Sequence, residues 1–105
     1  MNQNDKKSQK IKIQLDEEVS QGEYVNFSIV THSPAEFVFD FIRIVPGVSK
    51  TKVKSRVIMA PMHAKTLAMA LEGNIRKYES KFGEIKVPKG KGDMDIKLPT
   101  DALPN

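Results

Sequence analysis

The chain contains no cysteine. That removes disulfide staples, thiolate nucleophiles and cysteine-rich zinc sites, and it fits a reducing compartment. Long apolar runs are also missing: no stretch approaches the ~20 apolar residues of a bilayer-crossing helix. The opening residues, MNQNDKKSQK, hold no apolar segment suited to a secretory signal, so a cytoplasmic protein is expected, without membrane contact. Histidine occurs only at His32 and His63. There is no glycine-rich phosphate loop, serine–histidine–acid signature, zinc-helix motif or calcium loop in the sequence. The expectation is a protein without enzymatic activity and without a cofactor.

What is present fits one small domain of 105 residues, 39% of them apolar. A chain this short buries a limited share of its surface, a limit that association with a second copy relieves. The balance of 17 basic against 13 acidic residues gives a net charge of +4, a mild excess that permits an anionic partner without demanding one. Residues 1–9 are polar and predict a disordered tail. Residues 86–105 carry three prolines and two glycines from Val87 onward and predict an extended or disordered tail. Residues 10–85 are the expected domain.

Hydrophobic periodicity divides that domain. Ile11 to Leu15 alternates and predicts a short edge strand; DEEVSQGE then predicts a turn. Glu23 to His32 alternates over a strand's length, with Val25, Phe27, Ile29 and Thr31 on one side and Tyr24, Asn26, Ser28 and Val30 on the other. Ser33-Pro34-Ala35-Glu36 matches a helix capping box and predicts one tight helical turn. Phe37 to Val45 is the most apolar segment. Phe37, Phe39 and Phe41 share a face with Arg43, and Val38, Ile42 and Ile44 share the other with Asp40, the pattern of a central strand covered twice. PGVSK makes a turn, and Thr51 to Met59 is the third strand. A turn centred near Val48 sets Phe39 across from Val57, Phe41 from Ser55, Val38 from Ile58 and Asp40 from Arg56. A turn centred on Pro34 sets Ile29 across from Phe39 and Phe27 from Phe41.

Pro61 suits the first position of a helix. Ala64, Leu67, Ala68, Leu71, Ile75, Tyr78 and Phe82 then form an apolar stripe, and Gly83 marks its end. The predicted fold is α+β: a three- to four-stranded antiparallel meander packed on one long C-terminal helix. Its expected core holds Val25, Phe27, Ile29, Phe37, Phe39, Phe41, Val57, Leu67, Leu71, Ile75 and Tyr78.

Five aliphatic residues, Val30, Val38, Ile42, Ile44 and Ile58, are left on the other sheet face. A patch of ~several hundred Å² is unusual on a monomer, so this face is the candidate contact of a homodimer or higher oligomer. Met62, Thr66, Met69 and Gly73 form a second helical stripe that also suits a subunit contact; the alternative for Gly73 is a helix bend at Gly73-Asn74. Lys50, Lys52, Lys54 and Arg56 recur at every second residue, a candidate face for anions or nucleic acid. No aromatic residue interleaves them to stack bases, and solvated lysines also protect a strand edge, so nucleic acid ranks behind a protein or peptide partner. His32, Glu36 and His63 converge on one end of the expected meander and are the candidate polar or metal site, although spacing of this kind specifies little. Asp40, inside an apolar strand, needs a partner, and Arg56 is the one the register supplies.

Several segments resemble the uncharacterised bacterial family known as Domain of Unknown Function 3467. They are SPAEFVFDF, the PG turn, SRVIMAPMHAK and NIRKYESKFGEI, which together cover most of Gly22 to Ile85. The resemblance implies a small bacterial cytoplasmic protein and nothing catalytic. It includes His63 in a recognised stretch and leaves both tails outside.

Overall fold

The computed structural model describes residues 9–88; the expected tails lie almost wholly outside them. The described chain is an α+β arrangement: α1 (Glu17–Ser20), β1 (Phe27–His32), β2 (Phe37–Ile42), β3 (Val53–Met59) and α2 (Pro61–Phe82). The three strands form one antiparallel sheet in the order β1-β2-β3, with β2 central. Ile11 to Leu15 does not join it; these residues are irregular, and Ile11, Ile13 and Leu15 are exposed. The DEEVSQGE segment, expected as a turn, forms the single helical turn α1 instead, closed by the Ser20 N–H on the Asp16 carbonyl at 2.9 Å.

The β2–β3 hairpin follows the sequence. Val38 pairs with Ile58, Phe39 with Val57, Asp40 with Arg56 and Phe41 with Ser55. Its connection begins with a turn in which the Val48 N–H donates to the Val45 carbonyl at 3.1 Å. Pro46 and Gly47 occupy the two central positions, and Gly47 has φ 87°, the type II geometry that a Pro-Gly pair specifies. Thr51 fastens the same loop by donating its hydroxyl to the Arg43 carbonyl at 2.8 Å. Between Phe41 and Ile42 the register shifts, so Ile42 meets Val53 and Lys54 is the extra residue of a bulge.

The β1–β2 hairpin is one residue out of the expected register. Val30, not Ile29, pairs with Phe39, and Ile29 pairs with Asp40. The cause lies in the turn. The Ser33 N–H donates to the Glu36 backbone carbonyl at 2.9 Å, and the Ala35 N–H donates to Ser33 Oγ at 3.2 Å. Pro34 and Ala35 therefore form a two-residue tip, where a turn centred on Pro34 has an odd number of residues. No helical turn forms. A serine hydroxyl that can cap a helix can equally cap a tight turn, and here the flanking strands decide. Because side chains alternate, the one-residue difference moves all of β1 to opposite faces. Ser28, Val30 and His32 join the phenylalanine side; Phe27, Ile29 and Thr31 join Val38, Asp40 and Ile42. Beyond the strand ends, Asn26 extends the ladder. Its backbone N–H donates to the Ile42 carbonyl, while its side-chain amide accepts from the Ile44 N–H at 2.7 Å and donates to the Ile44 carbonyl at 3.0 Å.

Helix α2 keeps the expected bounds. Pro61 follows the Ala60 N-cap, and Gly83, at φ 99°, ends the helix with its N–H on the Glu79 carbonyl. The expected core does not close around it. Among the described residues the buried apolar side chains are Val38, Ile42 and Ala64. The helix approaches the phenylalanine side of the sheet with its first turns, through Ala64, whereas Leu67, Leu71, Ile75, Tyr78 and Phe82 are exposed. A helix of 22 residues is about 33 Å long, against about 20 Å for strands of this length. Its far half has no sheet among the described residues to lie on.

Candidate functional site

The most deeply buried polar group is Asp40, 1% exposed in the middle of β2. Arg56, directly opposite on β3, holds it with both arms of its guanidinium. Nε donates to Oδ1 at 2.7 Å and Nη2 to Oδ2 at 2.9 Å. Arg56 hydrogen bonding holds the Asp40 carboxyl below its ordinary value, against the upward push of burial. The pair satisfies a carboxylate that burial would otherwise strand. It is a structural clasp between the central and outer strands.

On the opposite face, Phe37, Phe39 and Phe41 stack along β2 with ring centroids 6.5 and 6.4 Å apart, and His32 extends the stack onto Phe37 at 5.4 Å. The ladder follows from the two-residue strand period, which repeats side chains on one face at nearly this spacing. Helix α2 begins beside it. Val30, Phe37, Phe39, Pro61, Ala64, Lys65 and Ala68 line an open groove of about 460 Å³. Apart from Lys65, the helix side of this groove is lined by small residues, which leaves the aromatic floor accessible. The sequence places Ala64 and Ala68 on the apolar stripe of the helix; that small residues face large rings across a gap needs the packed geometry to be seen.

The residues of the candidate polar site are not brought into one cluster. Among the described residues, no three of the histidine, aspartate and glutamate side chains are grouped so as to hold a metal ion. His32 is taken up by the aromatic stack, Glu36 closes the β1–β2 turn through its backbone, and His63 lies in the first turn of α2 with its N–H on the Ala60 carbonyl. The candidate oligomer face is also divided. Val38 and Ile42 are buried within the chain, Ile44 is half-buried and bound to Asn26, Ile58 is exposed, and the register change puts Val30 on the groove side. The basic series is interrupted as well: Lys50 and Lys52 precede β3, Lys54 sits in the bulge 3.2 Å from Glu23, and Arg56 clasps Asp40. Met62 and Met69 are exposed on the helix side turned away from the apolar stripe.

The two edges of the sheet differ. β3 carries Lys54 and Arg56, while β1, Phe-Ser-Ile-Val-Thr-His, contains neither a charged residue nor a proline. No strand among the described residues runs along its outer side. No helix among them is long and apolar enough to cross a membrane.

The chain belongs to the family described as Protein of unknown function (DUF3467), whose model matches residues 1–87. The family thus takes in the N-terminal residues before Gly22 that the recognised segments left out. Neither the curated proteins nor the solved structures contain a match to the chain.

Proposed function

We propose that the protein is a non-enzymatic, homo-oligomeric binding or adaptor module that takes up an extended protein or peptide segment on the free edge of β1. The observation that carries this reading is the unguarded edge. Natural sheets protect an exposed edge with lysine, proline or a bulge, and here a lysine and a bulge sit on β3 while β1 has none of the three. A strand added to β1 gains main-chain hydrogen bonds, with alternate side chains reading the flanking faces. Val30 and the half-buried Ile29 offer apolar contacts on the two sides of that edge. In this reading the protein works in the cytoplasm, in keeping with a chain free of cysteine. Nucleic acid is a weaker reading, because Lys54 and Arg56 are already engaged by carboxylates.

Hydrogen exchange tests the proposal directly. Short extended peptides of alternating apolar and polar residues should slow exchange of amides within Phe27 to His32. Ser28→Lys, at an exposed position of the edge, should weaken that binding about tenfold or more. Peptides that bind without protecting β1, or a full panel with no binding, would refute the edge as the site.

A further inference from the structure

The apolar stripe of α2 and the groove at its start are two halves of one contact. From Ala64 through Leu67, Leu71, Ile75 and Tyr78 to Phe82 the helix takes 18 residue steps, five turns at the 3.6-residue period. The stripe therefore runs straight along one side of the helix. Only its first member is buried; Leu71 is 57% exposed and Phe82 67%. The exposed parts of Leu67, Leu71, Ile75, Tyr78, Phe82 and Ile85 amount to roughly 500 Å² of apolar surface, the larger share of the ~800 Å² per partner of a standard interface.

The stripe is also graded. Its first two turns present Ala64 and Ala68 over the open groove; its last two present Tyr78 and Phe82, whose rings lie 4.9 Å apart and reach outward. One end is small and concave, the other large and convex. Two copies laid antiparallel bring each aromatic end to the other's groove. A parallel pair would set rings against rings and leave both grooves empty. The occupant must also be present whenever the chain is folded. With Val38, Ile42 and Ala64 as the buried apolar side chains, the described residues of a single copy lack the core a stable domain needs. A transient client does not meet that requirement; a second copy of the same chain does.

We infer that the chain forms a two-fold homodimer through antiparallel α2 helices crossing near Ile75, with Phe82 of each copy seated in the groove of Val30, Phe37, Phe39, Ala64 and Ala68 of the other and Tyr78 at the mouth of that groove. This rests on the homo-oligomeric part of the proposed function and specifies it; the backbone edge of β1 stays open, while the Val30 side chain is shared with the contact. The interface is isologous, so Leu71 faces Tyr78 of the second copy and Leu67 faces its Phe82, each contact occurring twice.

The absence of cysteine makes engineered cross-links clean. Sedimentation of the full chain over a broad dilution series should show a dimer, and Ile75→Glu should shift it to monomer. Under mild oxidation Ile75→Cys should form a disulfide-linked dimer. Leu67→Cys mixed with Phe82→Cys should cross-link through heterodimers, in higher yield than either variant alone. If Ile75→Glu fails to fold, the cross-links still decide. A wild-type monomer at every concentration overturns both the dimer and the homo-oligomeric reading. An oligomer that resists Ile75→Glu and gives no Leu67–Phe82 cross-link overturns the helix pairing alone.

Discussion

At the scale of single residues, Asp40 shows how one substitution can be read in two media. Its carboxylate is enclosed while Arg56 keeps part of its side chain in water. Removing the cation leaves a buried charge without its bidentate partner, whereas removing both groups leaves an apolar strand pair. Arg56→Met should therefore cost about 2–4 kcal/mol in urea unfolding, and the double variant Asp40→Leu with Arg56→Met appreciably less. The pH dependence follows from the sign of the shift. Asp40 lies below its ordinary value of 3.8 in the folded chain, so below that value the unfolded chain binds the proton more readily. The contribution is complete above about pH 4 and is lost as pH falls through the folded value. Asp40→Asn should flatten the acid limb of a stability–pH curve; an unchanged limb would separate Asp40 from acid unfolding.

Elements respond to glycine according to their backbone. Gly47 holds φ 87° at the centre of the type II turn, and Gly47→Ala should destabilise the β2–β3 hairpin by about 1–2 kcal/mol. Gly73 lies in regular helix, where an added Cβ meets nothing within 4 Å. Gly73→Ala should stabilise the protein by about 1 kcal/mol. Opposite shifts of the melting temperature check the pair together. The first hairpin depends instead on Asn26, whose amide pairs both backbone groups of Ile44. Asn26→Ala should cost about 1–2 kcal/mol in chemical unfolding.

For the molecule as a whole, stability and assembly are one quantity if the helix stripe is covered by a second copy. The thermal midpoint of the wild-type chain should then rise with protein concentration, as mass action requires. Scanning calorimetry at several concentrations reads this without any substitution. Added salt should alter the midpoint little, because the contact is apolar and the ion pairs it leaves outside, such as Glu72 with Arg76, are exposed.

The sequence by itself determined the β2–β3 hairpin with its Pro-Gly turn, the Asp40–Arg56 pairing and the full extent of α2. Each is specified by local chemistry: a fixed proline φ, a glycine free to take positive φ, and a helical apolar period. Tertiary structure decided which side of the sheet β1 faces. Alternation names two sets of side chains but not their destination, and the two-residue tip at Pro34-Ala35 settles it by one register step. It decided likewise that Ile11 to Leu15 stays off the sheet, that His32 stacks on Phe37, and that most of the α2 stripe remains outside the core of the described residues. A stripe in sequence declares that a face must be covered. Only the lengths and positions of the other elements say whether the same chain can cover it, and here a sheet of short strands cannot reach the end of a helix of six turns.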